Sequence, residues 1–123
     1  MPVKLDHTIL TARNKTESAT FLADILGLGT PITVGQFLAV ALDNGVSLDF
    51  SSVEEGAIRP QHLAFEVSAA EFDSVLGRVK ERGVSYWADP RQTRPGEVDQ
   101  RGNGRAIYFA DPSGHWLEVL TRD

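Results

Sequence analysis

The sequence predicts an α+β fold: two tandem βαβββ modules whose strands form a curved, cup-like mixed and antiparallel sheet, with one helix per module on the outside. Three observations carry this expectation. Each half contains one apolar segment at helical spacing, with a capping residue before it and a glycine after it. Each of these segments is followed by short, strand-length apolar pieces. Both halves also close on one pattern: Gly45-Val46-Ser47-Leu48-Asp49-Phe50 and Gly114-His115-Trp116-Leu117-Glu118-Val119 each read Gly-x-x-Leu-acid-apolar. The 123 residues are read as a single domain of two modules, about 1–53 and 61–123, long enough to bury a core.

In the first module, residues 3–10 (VKLDHTIL) read as a strand. Asn14 caps a helix with Glu17 three residues on, Ala19, Leu22, Ile25 and Leu26 form its apolar stripe, and Gly27 stops it. Strands are expected at 31–34, 37–42 and 46–51. The turn Asp43-Asn44-Gly45 joins the last two as a hairpin. A polar loop, 54–60, leads into the second module.

There, 62–67 (HLAFEV) reads as a strand, and Ser68 with Glu71 forms a capping box. Phe72, Val75, Leu76 and Val79 line one helix face, with Lys80 and Arg82 in the last turn and Gly83 as the cap. Strands are expected at 85–87, 105–110 and 115–121. The run 89–104 (DPRQTRPGEVDQRGNG) reads as a long loop and accounts for most of the extra length of the second half. A loop of that size in a small domain suggests a substrate gate. Its Arg91, Arg94 and Arg101, with nearby Arg105, suit an anionic group on a substrate.

Composition excludes several classes of function. The net charge is −5, with no basic stripe, so nucleic acid is a poor partner. No apolar run approaches the roughly 20 residues a membrane helix needs, and MPVKLDHTIL lacks the continuous apolar region and small-residue cleavage site of a signal-peptide pattern. A cytoplasmic location is expected. Cysteine is absent, which removes disulfides, thiolate nucleophiles and thiolate metal sites.

The repeat places a His on the first strand and an acid on the last strand of each half: His7 and Asp49, then His62 and Glu118. Strand alternation turns each of them away from the apolar face that packs under a helix. A carboxylate such as Glu118 inside an apolar strand needs a partner. Imidazole and carboxylate together suit one divalent ion: Zn, Ni, Fe, Mn or Co. The candidate metal ligands are His7, His62 and Glu118, with Asp49 as a fourth. Glu66 shares the face of His62 and is read as a polar residue of the rim, and His115 as a turn or packing residue. Trp116, Tyr108, Trp87 and Phe37, with Arg94 and Arg101, are candidates for a small-molecule pocket.

Asp6-His7-Thr8-Ile9-Leu10, Gln61-His62-Leu63-Ala64-Phe65 and the run YFADPSGHWLE at 108–118, on a doubled βαβββ frame, resemble the vicinal oxygen chelate superfamily. That superfamily includes glyoxalase I, extradiol dioxygenases, fosfomycin-modifying enzymes, methylmalonyl-CoA epimerase and bleomycin-binding proteins. The resemblance spans the whole chain and implies a homodimer. It also implies a metal-assisted reaction on a substrate with vicinal oxygens, of lyase, isomerase or epimerase type, with Glu118 or Asp49 moving a proton. Extradiol dioxygenases carry a His shortly before Tyr108, and 100–105 contains none; fosfomycin-modifying enzymes carry a Thr where this chain has Ile9. The alternative reading is a metal-free antibiotic-binding protein of the bleomycin-resistance type.

Overall fold

The computed structural model describes residues 2–122. The chain divides between Pro60 and Gln61 into two compact units, each a βαβββ module. The first contains β1 (His7–Ala12), α1 (Lys15–Leu26), β2 (Ile32–Val34), β3 (Phe37–Ala41) and β4 (Ser47–Ser52), then a short 3₁₀ turn at Glu55–Ala57. The second contains β5 (His62–Glu66), α2 (Ala69–Glu81), β6 (Asp99–Arg101), β7 (Gly104–Ala110) and β8 (Trp116–Thr121). Each module holds one mixed four-stranded sheet. The strand orders are β1-β4-β3-β2 and β5-β8-β7-β6, the same connectivity twice. In each, the first and last strands pair parallel and the rest antiparallel.

The helices form where the caps sit. The Asn14 side chain accepts from the Glu17 N–H at 3.0 Å, and Gly27 takes a left-handed conformation, φ 69°, that ends α1. Ser68 and Glu71 form the reciprocal capping box of α2. Leu22, Ala23 and Ile25 of α1 and Phe72, Val75 and Val79 of α2 are buried. Buried under them are Leu10, Val40, Leu48 and Phe50 in the first module, and Ile107, Phe109, Leu117 and Val119 in the second. Arg105 ties α2 to β7: its guanidinium lies 4.4 Å from the Phe72 ring centroid and donates to Asp73 at 2.8 Å.

Three boundaries differ from expectation. β1 starts at His7, not Val3, because its partner in the sheet is β4, which begins at Ser47 after the Gly45 turn; among the described residues none is paired as a strand with 3–6. Residues 85–87 do not form a strand; Trp87 makes only isolated bridges, to Tyr108 and to Pro95. The fourth strand of the second sheet is Asp99–Arg101, inside the run expected to be loop. It folds back on β7 through the two-residue turn Gly102-Asn103, with Gly102 at φ 59°. The 89–94 part of that run is a turn held by Asp89, whose carboxylate accepts from the Thr93 and Arg94 N–H groups and the Thr93 hydroxyl. At the β7 start, Gly104 lies so close to the Thr121 carbonyl that an added Cβ would overlap it.

Candidate functional site

Register alone assembles the site face of the second module. His62 lies opposite Trp116, Ala64 opposite Glu118, and Glu118 opposite Tyr108. Asp99 lies opposite Ala106, two residues from Tyr108, and Arg101 is two residues from Asp99. Because side chains alternate, His62, Trp116, Glu118, Tyr108, Asp99 and Arg101 project from one face, and Leu117, Val119, Ile107 and Phe109 from the other. Arg105 falls on the helix side, so it does not join Arg94 and Arg101.

Glu118 sits at the centre and is 8% exposed. One carboxylate oxygen, Oε1, lies 3.1 Å from His62 Nε2; the other, Oε2, accepts from Arg101 Nη1 at 3.3 Å. Arg101 also donates through Nη2 to the Tyr108 hydroxyl at 2.6 Å, and through Nε to Asp99 at 2.6 Å. Asp99 accepts from Arg94 as well, at 2.9 Å. Electrostatics follow from these contacts. The guanidinium of Arg101, then that of Arg94, holds the Asp99 carboxyl below the usual carboxylate range. Asp99, with Tyr108, raises Arg101 further. Burial pushes the Tyr108 phenol up, and the bond from Arg101 opposes this.

Aromatic rings flank the carboxylate. Trp116 lies 5.5 Å from Trp87 and 6.3 Å, stacked, from Tyr108; His62 meets Tyr108 edge-on at 6.0 Å. The indole N–H of Trp116 is buried with no hydrogen-bond partner, a donor whose desolvation is uncompensated.

The turn before β8 positions His62. Asp111 Oδ1 accepts from the N–H groups of Ser113 and His115. His115, 1% exposed, accepts at Nδ1 from the Gln61 N–H at 3.0 Å, next to His62. So the Asp-Pro-Ser-Gly-His run is a clamp on the start of β5. Glu66 is exposed and pairs with Arg122 at 3.3 Å.

In the first module the equivalent face carries His7 and Asp49 in the same register: His7 lies opposite Ser47 and Ile9 opposite Asp49. The hydrogen bond to Asp6, 2.7 Å from His7 Nδ1, raises the His7 pKa, and the charge of Asp49 adds to this. Ser47 donates to Asp49 at 2.5 Å. Phe37, opposite Val34, shares this face. The structure thus brings His62 and Glu118 into contact, joins Trp87, Trp116 and Tyr108 in one cluster, and links Arg94 to Arg101 through Asp99. Among the described residues no three His, Asp or Glu side chains converge as a metal-binding group.

The donor pair does fit a divalent ion. Two donors each about 2.0–2.1 Å from one ion stand roughly 3 Å apart, and His62 Nε2 and Glu118 Oε1 are 3.1 Å apart. Asp99 and the tie between Arg101 and Glu118 lie outside what the motifs and the repeat lead one to expect. The signal was present as Arg101-Gly102-Asn103-Gly104, a two-residue hairpin turn hidden in a Pro- and Gly-rich run.

Comparisons with known proteins agree with this architecture. The structure named "Oxidase ChaP-H1" superposes with a TM-score of 0.95 at 52% identity, covering 99% of this chain and 98% of that one. "Oxidase ChaP-H2" gives 0.95 at 53%, covering 100% and 96%. "Glutathione transferase FosA" of Serratia marcescens is 28% identical over 122 residues, 94% of this chain and 78% of that protein. Among the described residues no helix is long and apolar enough to cross a membrane. The sequence profile of the Glyoxalase/Bleomycin resistance protein/Dioxygenase superfamily matches residues 4–119, and the chain belongs to that superfamily, the vicinal oxygen chelate proteins.

Proposed function

We propose that this protein is a divalent-metal-dependent enzyme acting on a small substrate with neighbouring oxygen atoms. The observation that carries the reading is the His62–Glu118 pair, two metal-type donors 3.1 Å apart on a face lined by aromatic rings. His7 is the proposed third ligand and Asp49 the fourth, and the protein is proposed to act as a cytoplasmic homodimer. A bound ion would supply Lewis-acid stabilisation of negative charge on the substrate oxygens. The chain's own groups do the rest. Trp116, Trp87, Tyr108 and Phe37 offer flat apolar surface. Arg94, whose side chain is 45% exposed, orients an anionic substituent, while Arg101, with its three guanidinium nitrogens taken by Asp99, Tyr108 and Glu118, holds the Glu118 carboxylate. Asp49, held by the Ser47 hydroxyl, accepts a proton from the substrate.

The motifs suggested a lyase, isomerase or epimerase. The names of the structures at 52% and 53% identity, both oxidases, support oxidation instead, and the oxidant proposed for this chain is dioxygen. The relatives named for fosfomycin resistance are more distant, at 24–25% over most of the chain. Protein loaded singly with Fe, Mn, Co, Ni or Zn would be assayed for oxygen uptake with catechols and for isomerisation of hemithioacetals. Oxygen uptake that disappears in His62→Ala and Glu118→Gln is the expected result. Isomerisation without oxygen uptake would restore the lyase or isomerase reading. The aromatic cluster and the orphaned Trp116 N–H also suit a sequestering protein. Tight binding of an aromatic antibiotic, with no turnover and no loss in Glu118→Gln, would favour that second reading.

A further inference from the structure

The second module satisfies Glu118 entirely from its own side chains. Oε1 faces His62 Nε2 and Oε2 accepts from Arg101 Nη1. A carboxylate that is 8% exposed is costly without a compensating cation, and Arg101 is that cation. Nor is the guanidinium loosely placed. All three of its nitrogens are engaged: Nε by Asp99, Nη2 by the Tyr108 hydroxyl and Nη1 by Glu118. Asp99 is itself braced by Arg94. The turn Gly102-Asn103 pins Arg101 to the end of β6, opposite Gly104. So the cation is anchored independently of Glu118 and stays beside it whether or not another cation arrives.

From this arrangement we propose that Arg101 is a built-in counter-cation for Glu118, which competes with the divalent ion for that carboxylate and sets how tightly the ion is held. The inference rests on the metal reading above. It has two consequences. Loss of the ion never leaves a bare carboxylate inside the sheet, so the metal-free protein keeps its fold. And each ion bound must share Glu118 with a fixed positive charge, which weakens binding and keeps it reversible. A merely structural ion pair would have the first effect and not the second.

The test is Mn²⁺ and Co²⁺ titration of the full chain, followed by electron paramagnetic resonance and visible absorption, for wild type, Arg101→Gln and Arg101→Lys. Thermal unfolding of each metal-free protein is recorded alongside. Removing one nearby unit charge, screened almost as in bulk water because the Arg101 side chain is 46% exposed, raises affinity for a divalent ion on the order of tenfold. Arg101→Gln is therefore expected to bind Mn²⁺ about tenfold more tightly than wild type, while its metal-free form unfolds at a lower temperature. Arg101→Lys keeps the charge and is expected to stay within about threefold of wild type, a margin well short of that Coulomb effect.

Equal affinity in Arg101→Gln and wild type would overturn the proposal, and so would weaker binding, which would make Arg101 an orienting donor to Glu118. Should Arg101→Gln fail to fold, Tyr108→Phe frees one guanidinium nitrogen and leaves the charge. On the proposal it changes affinity little, and a loss of tenfold or more would overturn it. Failure of the metal reading is distinguishable, because it appears in the wild type as no uptake above that of a His62→Ala, Glu118→Gln double variant.

Discussion

Replacing Glu118 by Gln separates the chemical role of this carboxylate from its structural one. The side chain is 11% exposed, but its cationic partner Arg101 is 46% exposed, and the contact is long at 3.3 Å. A pair with one half in water behaves more like a surface ion pair, worth about 0.2–1 kcal/mol, than like a buried one. Gln keeps the volume and one acceptor oxygen. It turns its amide N–H₂ towards either Arg101 or His62, at a cost of about 1 kcal/mol for the mismatched hydrogen bond. The sum is about 1–2 kcal/mol. In a chain of this size that lowers the melting temperature by roughly 4–8 °C. Circular dichroism melts of the metal-stripped proteins measure it. Mn²⁺ titration of the same samples should show most of the affinity gone. A loss above about 3 kcal/mol would refute the screening argument, since only a truly buried pair costs that much to break. Wild-type Mn²⁺ affinity in the variant would refute the ligand role.

Gly104→Ala should cost about 1–3 kcal/mol in urea unfolding, because the new methyl meets the Thr121 carbonyl and must push β8 from β7; a neutral result would show that the strand end yields freely. His115→Ala removes a buried ring and the acceptor for the Gln61 N–H, and should cost about 2–4 kcal/mol. It should also weaken Mn²⁺ binding through the displaced His62, so unchanged binding would deny His115 a positioning role. Asp89 titrates below its ordinary 3.8, chiefly through the Thr93 hydroxyl, with the Thr93 and Arg94 N–H groups adding to it. The ordering it gives the 89–94 turn is therefore complete above pH 3.8 and fades as pH falls through the lower folded value. In an NMR titration the Thr93 amide should move in that acid range, and in Asp89→Asn it should not.

Much of the fold is legible in the chain because its signals are local. The caps at Asn14 and Ser68, the stops at Gly27 and Gly83 and the apolar stripes each operate within one turn of helix. The repeat of Gly-x-x-Leu-acid-apolar marks β4 and β8, and a period of two then puts Glu118 on the face opposite Leu117 and Val119. The same reasoning places His62 beside that face once β5 and β8 are paired. What the chain does not announce depends on partners distant in sequence. β1 stops short of Val3 because β4 supplies no residues beside it. Residues 85–87, strand-like in composition, lose most of their place on the β7 edge to Asp99–Arg101, which a two-residue turn delivers first.

The destination of Arg101 belongs to the same class. As a residue in a Gly- and Pro-rich run it reads as a free cation waiting for a substrate. Sequence by itself determined the two modules, their helices and the face on which His62 and Glu118 stand, since period and capping are properties of neighbouring residues. Only the tertiary structure decided that Arg101 lies against Glu118. A long flexible side chain is placed by whichever acceptors the sheet brings within reach, and those acceptors, the Asp99 and Glu118 carboxylates and the Tyr108 hydroxyl, meet only after three strands have paired.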